Sequence, residues 1–467
     1  MRRFPRCLTR SIGALIAPIL LGLALVGLPS QAAAQSVIRD TEIEAIIREW
    51  SDPVLDAMGL IPGDVDILLV NDPDLNAFAT PGRRMGINTG LILRTRTPNE
   101  LLGVIAHEAG HIKNRHVLRT DAQDAGMQPY IMSMALGALA TLAGEPGAGM
   151  ALIGSSSYFG ALGSLRYMQG QEGEADITGA RALERAGESG KGLVDFFENF
   201  RSQEVFSDAR RYPYFRSHPL SSDRIQTLRR TVESAAHYSH GDSPERMAEH
   251  ALVLAKIHGF MDSPTSTLRA YPLSNTTLPA RYARAIAWYR DGQTDRALTA
   301  VEELIAGAPD NPYYWELKGQ ILFEESRPLD AIEAHAKAVE LKPDAPLLRI
   351  NLAHAMIETN DPERLDAAID QLKRATAIEG DNTLAWRLLG QAYASQGKDG
   401  EARLASAEYY FAMGRREQAT QFALRARDRL DRSSIEWRRA TDIVLASGAT
   451  LDDLQDLERR QQRDRNN

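Results

Sequence analysis

The chain has 467 residues, of which 43% are hydrophobic and 25% charged, and its formal net charge is −8. That length corresponds to two or three domains of roughly 100–200 residues each, and the composition excludes wholesale disorder, collagen-like repeats and a polytopic membrane protein. With 54 basic against 62 acidic residues, the chain lacks the clustered basic excess that nucleic acid demands, so a nucleic-acid partner is set aside.

Residues 1–34 read as a signal peptide. Arg2, Arg3, Arg6 and Arg10 form a basic start, an apolar run from Ile12 to Leu28 follows, and Ala32-Ala33-Ala34 supplies the small residues that a signal peptidase needs. An uncleaved anchor helix is the competing reading, because the apolar run is nearly membrane-length. Cleavage near Gln35 removes four arginines and no acid, taking the formal charge from −8 to −12. The single cysteine, Cys7, leaves with the signal. A mature exported chain without cysteine forms no disulfide, which suits a periplasm better than a disulfide-dense extracellular scaffold.

Thr41 and Glu44 make a capping-box pair ahead of Ile43, Ile46, Ile47 and Trp50, predicting a helix over 41–58. Val65–Val70, Ala77–Thr80 and Arg83–Asn88, separated by Asp72-Pro73-Asp74 and Pro81-Gly82, read as strands of a small sheet. Thr97-Pro98-Asn99-Glu100 is a helix start, with Thr as N-cap and Pro at the first position, and the helix is expected to run to about Arg119.

Residues 131–165 are the most apolar part of the mature chain, interrupted at Glu145-Pro146-Gly147. The interruption leaves pieces too short to span a bilayer easily, so paired helices are expected there, with peripheral membrane contact as the alternative. Further helices are predicted from Glu172 to about Arg185 and from Leu193 to Arg201. Polar and turn-forming residues near 236–280 mark a helical linker between domains.

Beyond that linker a period of 34 appears. Ala297 returns as Ala331 and Pro309 as Pro343; Ala368 follows Ala331 by 37 residues, Ala402 follows Ala368 by 34, and Trp315 and Gly319 return as Trp386 and Gly390. This pattern is that of the tetratricopeptide repeat, an all-α solenoid of helix hairpins, placed at residues 281–433. Residues 434–467 are very polar and are expected to form a final helix and tail.

The chemistry lies in His107-Glu108-Ala109-Gly110-His111, an HExxH pattern on the capped helix. Two histidines four residues apart share a helix face and reach one Zn²⁺, with Glu108 beside the open coordination position as general base. A third protein ligand is needed. Glu172-Gly173-Glu174-Ala175-Asp176 offers carboxylates at helical spacing, and Asp176 is placed to receive a hydrogen bond from a ligand imidazole. Spacing alone does not choose Glu172 over Glu174. His116, off the ligand face of a continuing helix, reads as favourable charge near a helix end.

These segments, followed by Ser217-His218-Pro219-Leu220, resemble the successive motifs of the HtpX-like and BepA-like zinc peptidases, relatives of the CAAX prenyl proteases. Asn76-Ala77-Phe78-Ala79-Thr80-Pro81-Gly82 is similar to the stretch that precedes the zinc helix in that family. A secretion signal ahead and repeats behind resemble the BepA-like periplasmic type. The resemblance implies an α+β gluzincin-type domain at residues 35–235 holding one Zn²⁺ through His107, His111 and Glu172, the first Glu of ExxxD being the third ligand. It implies a role for His218, which either approaches the metal to keep the enzyme latent or assists catalysis, and a steadying role for Arg224. This chain carries Gln169 where relatives often have Arg, which leaves the local support of Glu172 open.

Arg83, Arg84, Met85, Gly86, Ile87 and Asn88 are expected to bind an extended substrate as an edge strand. The expected activity is zinc-dependent hydrolysis of peptide bonds in misfolded or stalled envelope proteins, with the repeats recruiting clients or the outer-membrane β-barrel assembly machinery. The alternative is a chaperone or assembly scaffold whose metal site is latent.

Overall fold

The computed structural model describes residues 36–118, 127, 129–136, 146–204, 214, 218 and 221–450. The expected signal peptide, most of 119–145 and the end of the polar tail lie outside the described residues. Strand β1 (Ser36–Ile38) and helix α1 (Thr41–Ala57) are followed by strands β2 (Asp66–Asn71), β3 (Ala77–Thr80) and β4 (Arg84–Asn88). Helix α1 is capped one residue earlier than predicted: Asp40 accepts from the Ile43 amide, and Glu44 accepts from the Asp40 amide.

The sheet order is β1-β2-β4-β3. Strand β4 runs parallel to β2, with Ile67 beside Met85 and Leu69 beside Ile87, and antiparallel to β3, with Phe78 beside Gly86. This corrects the expectation for Arg83–Asn88: the strand is central, so both rows of its backbone hydrogen-bonding groups are taken. Met85 and Ile87 are fully buried, Asn88 is nearly so, and a Cβ on Gly86 would lie 2.4 Å from the Phe78 ring. Among the described residues, the edge strands are β1 and β3.

Helix α2 (Pro98–Lys113) is capped by Thr97, whose hydroxyl accepts from the Glu100 amide. It is buried on every face from Pro98 to Ile112, which is possible because other helices surround it. Helix α3 (Ser156–Arg185) is far longer than the predicted segment beginning at Glu172, so that residue sits mid-helix rather than in an acidic first turn. Two glycines let α2 and α3 cross closely: a Cβ on Gly110 would meet the Ala175 carbonyl at 2.7 Å, and one on Gly179 the Ala106 carbonyl at 2.9 Å. Helices α4 (Lys191–Glu204) and α5 (Ser222–Glu233) complete the layer, with Phe196, Phe197, Ile225 and Leu228 in one core with Trp50, Ile87 and Leu101.

The apolar stretch over 131–165 is helical where described. Ile131, Met132, Met134, Leu136, Met150 and Tyr158 are exposed, and no described helix is long and apolar enough to cross a membrane.

The solenoid opens with α6 (Pro244–Met261), whose Val253 and Ile257 join the first core while Leu252 and Phe260 pack on the first repeat. Helix hairpins follow: α7 (Leu278–Arg290) with α8 (Thr294–Gly307), α9 (Pro312–Glu324) with α10 (Pro328–Leu341), α11 (Pro346–Glu358) with α12 (Pro362–Ile378), α13 (Thr383–Ser395) with α14 (Asp399–Ala412), and α15 (Arg416–Arg427) with α16 (Ile435–Ala446). Ala297, Ala331 and Ala368 are fully buried where hairpins meet. The register shows in one recurring bond. Trp315 donates to the Pro309 carbonyl at 2.8 Å, Trp386 to the Gly380 carbonyl at 2.7 Å, and in the repeat between them Arg349 donates to the Pro343 carbonyl at 2.8 Å, each reaching six residues back.

The base of α1 is held against the solenoid by charge. Lys256 of α6 lies 2.8 Å from Asp40 and 3.0 Å from Glu42, Tyr282 donates to Glu42 at 2.8 Å, and Glu316 receives Asn351 at 3.2 Å and Thr41 at 3.5 Å.

Candidate metal centre

His107, Glu108 and His111 come from the middle of α2, Glu172 from the facing side of α3, and His218 from the chain leading to α5. One donor atom from each of His107, His111, Glu172 and His218 lies within 4.8 Å of every other, and all four residues are buried. The two Nε2 atoms of His107 and His111 stand 3.1 Å apart, and each is 3.4 Å from a Glu172 oxygen. His218 Nδ1 is 3.0 Å from Glu172 Oε2, and its Nε2 is 3.5 Å from Glu108 Oε1. Spacing left Glu172 and Glu174 open; the fold turns Glu172 inward and leaves the Glu174 side chain 58% exposed.

The surrounding groups fix these side chains. His107 Nδ1 donates to Asp176 Oδ1 at 2.8 Å. Arg224 of α5 holds Asp176 through its Nε and through Nη2 at 2.8 Å, while its Nη1 reaches Glu172 Oε2 at 3.0 Å. The guanidinium also lies 4.9 Å over the Phe197 ring. Arg224 thus supports Glu172 from a different element than the position of Gln169, which is exposed. Tyr214, not singled out in the sequence, is fully buried, lies 4.7 Å from the His218 ring and accepts the His218 amide on its carbonyl at 2.7 Å. An aromatic four residues before a histidine was the only signal that pointed to it.

The electrostatics separate the two helix histidines. Burial works against a charge on His107, but hydrogen bonds with Asp176 and Glu172 raise it to about 9. His111 is pushed down to about 2 by burial and by the neighbouring His107, and is a neutral imidazole. Burial opposes the charge on Glu172 as well, yet His107 and His218 hold its carboxyl far below the usual carboxylate range. Asp176 is lowered against its burial by Arg224 and His107.

Two imidazoles and a carboxylate with converging donor atoms, and a further imidazole beside them, are the donor set of a four-coordinate divalent cation, which would displace the Nε2 proton of His107. Glu108 gives an independent observation. It is fully buried, and neither of its oxygens accepts a hydrogen bond from any described residue. An unpartnered buried carboxylate is costly, so its place beside the convergent donors marks a position kept for chemistry. The residues present fit a metal.

Of the residues predicted from sequence, His107, Glu108, His111, Glu172, Asp176, His218 and Arg224 meet at this centre, whereas Arg83, Arg84, Met85, Gly86, Ile87 and Asn88 lie along the central strand outside it. His116 departs from its expected place. Helix α2 stops at Lys113, so the helical wheel no longer applies at 116, and the His116 ring stands against His111, with Nδ1 of each 3.0 Å apart.

Comparison with known proteins agrees with this geometry. Residues 38–232 match the model of peptidase family M48, and residues 280–414 match that of the cytochrome c-type biogenesis protein H TPR domain. The β-barrel assembly-enhancing protease of Yersinia pestis is 27% identical over 79% of this chain and 76% of its own length, and that of Escherichia coli K12 is 26% identical over 84% and 79%. The metalloprotease LoiP of Escherichia coli K12 is 34% identical over 33% of this chain and 58% of its own. Residues 38–232 thus form a metalloprotease domain of peptidase family M48, joined in this chain to a tetratricopeptide-repeat solenoid.

Proposed function

We propose that the chain is a zinc-dependent endopeptidase of the bacterial periplasm that hydrolyses peptide bonds in misfolded or stalled envelope proteins. The observation that carries this reading is the convergence of His107, His111 and Glu172 beside the unpartnered carboxylate of Glu108. His107, His111 and Glu172 would hold one Zn²⁺ per chain, which would supply Lewis acidity toward the scissile carbonyl. Asp176 accepts the Nδ1 proton of His107, fixing the tautomer that turns Nε2 inward. Arg224 holds Asp176 and Glu172 in place, and Phe197 and Tyr214 keep bulk water from the ring edges. Glu108 takes a proton from the attacking water at its carboxylate and returns it to the leaving amine nitrogen as the carbon–nitrogen bond breaks.

An extended client is expected to pair with β3, the edge strand beside β4 among the described residues, since β4 is paired on both sides; such pairing reads backbone more than side chains and suits unfolded segments. The solenoid recruits these clients or the outer-membrane assembly machinery, a reading supported by its repeats and by the name of the relatives. Peripheral membrane contact through the exposed apolar residues of 131–165 fits the same setting.

One observation favours a second reading. His218 sits on both Glu172 and Glu108, so it competes with water and substrate there, and the centre is latent while the repeats act as a chaperone or scaffold. Zinc content and cleavage of unfolded casein separate these readings. Wild type and Glu108→Gln should both bind zinc, with cleavage by the variant lower by roughly 10²–10⁴-fold. His218→Ala should raise cleavage if latency holds and abolish it if His218 assists catalysis. A zinc-replete wild type and His218→Ala variant that both leave casein intact would overturn the peptidase reading.

A further inference from the structure

We propose that His116 and Glu174 are positioning residues that lock the imidazole of His111 for metal binding, through a two-step hydrogen-bond relay leading from the centre to solvent. The inference rests on the metal reading above and goes beyond it. For His111 to turn an electron pair inward at Nε2, its proton must be on Nδ1. That proton needs an acceptor, and His116 Nδ1 lies 3.0 Å away. His116 must then carry its own proton on Nε2, which points to Glu174 Oε2 at 3.2 Å. Each group in the chain His111, His116, Glu174 thus donates in one direction and accepts from the other, ending on a carboxylate that faces water.

The same task is performed for His107 in a single step by Asp176, buried and held by Arg224. The two ligands are therefore supported unequally, one by a buried carboxylate and one by an imidazole that passes the bond outward. The backbone shows that His116 is placed rather than incidental. Immediately after α2 the chain reverses at Arg115, a non-glycine residue at φ +59°, in the left-handed region. This conformation is strained for a residue with a Cβ. It is held by Asn114, which donates to Thr178 on α3 at 3.0 Å, and it returns the next residue, His116, to 6% exposure under His111. Glu174, the first-turn alternative to Glu172 in the sequence, thereby acquires a separate task on the outer side of the same helix.

The test is the zinc affinity of the purified full chain, measured by competition with a chromogenic chelator, together with the thermal midpoint of the zinc-free protein. His116→Leu removes both relay bonds and should weaken zinc binding by roughly 10–100-fold. His116→Gln keeps an acceptor and a donor on one side chain and should recover most of that loss. Glu174→Ala changes an exposed side chain and should weaken zinc binding by roughly three- to tenfold. Unchanged affinity in both His116→Leu and Glu174→Ala overturns the proposal. A lowered zinc-free midpoint in His116→Leu with wild-type affinity also overturns it, because His116 would then be a packing residue. If His116→Leu does not fold, Glu174→Ala decides, and wild-type affinity in that variant overturns the relay. A wild type that takes up no zinc refutes the metal reading itself, an outcome distinct from these.

Discussion

The cluster around His107 and the cluster around Lys256 are built from similar residues yet resolve burial differently. At the interface, Lys256 is enclosed by Asp40, Glu42 and Tyr282 and lies under 6 Å from the Tyr282 and Tyr313 rings, so its charge is answered on all sides. Burial works against that charge, but Asp40, Tyr282 and Glu42 keep its pKa well above the ordinary lysine value. At the metal centre, Glu108 is equally enclosed but accepts no hydrogen bond from any described residue, and His218 Nε2 stands 3.5 Å from it. The first arrangement satisfies a buried charge. The second leaves a buried carboxylate without a hydrogen bond, as Ser51 Oγ and His335 Nδ1 are also left, and it is the convergent donors of His107, His111 and Glu172 beside Glu108 that mark it for chemistry.

The contrast breaks most visibly if each cluster is deprived of one member. Lys256→Met should destabilise the chain by about 3–5 kcal/mol, because Asp40 and Glu42 are left buried without a cation. Glu108→Gln should leave stability in the zinc-free protein unchanged or slightly raised, since it discharges a buried carboxylate that accepts no hydrogen bond from the described residues. Urea midpoints of the two variants check this. A Lys256→Met variant as stable as wild type would mean that Asp40 and Glu42 find water or protons instead, and that the interface is looser than its distances indicate.

How far each cluster was legible in the sequence follows from the same difference. His107 and His111 are four residues apart on one helix, with Glu108 next to the first, so local geometry alone brings them together, and Asp176 follows Glu172 by one turn for the same reason. Lys256 meets Asp40 across 216 residues of sequence, and no periodicity encodes such a meeting. The repeats were legible because each hairpin packs only on its neighbours. The boundary between the solenoid and the peptidase domain was less so, since α6 contributes to both cores. The edge-strand expectation for 83–88 failed because strand order is a tertiary property. A strand flanked by turns reads alike whether one or both of its sides are paired. His116 was misplaced because the expected helix runs through a stop signal, Asn114 after the basic last turn of His111 and Lys113.

The interface cluster carries a pH dependence of unusual sign. Burial, with Asp40 and Glu42 adding to it, raises Glu316 from 4.5 to about 7 against the pull of Lys256. The folded chain then retains a proton that the unfolded chain has released, so between about 4.5 and 7 stability falls as pH rises, opposite to the usual carboxylate. Glu316 keeps some contact with solvent through a cavity of about 370 Å³ that it lines with Lys256, Tyr313 and Asn351, which limits the effect to about 1–3 kcal/mol. Glu316→Gln should abolish this slope. Stability measured at pH 5 and pH 8 decides the matter, and parallel behaviour of variant and wild type would mean that Glu316 is ionised throughout.

The smallest effect belongs to a charge outside both clusters. Arg84 pairs with Asp66 at 2.9 Å, and both side chains are at least half exposed. Exposed pairs of this kind contribute about 0–1 kcal/mol, so Arg84→Ala should shift stability by less than about 0.5 kcal/mol and casein cleavage by less than about twofold. Its value lies in the strand that carries it. If clients paired with β4, removing the side chain at its entrance would slow cleavage measurably. If they pair with β3, Arg84 lies one strand away from the client, and its loss is felt only as a screened surface charge. A marked loss of cleavage with unchanged stability would return β4 to the substrate path, and would require β3 to peel away before a client can bind.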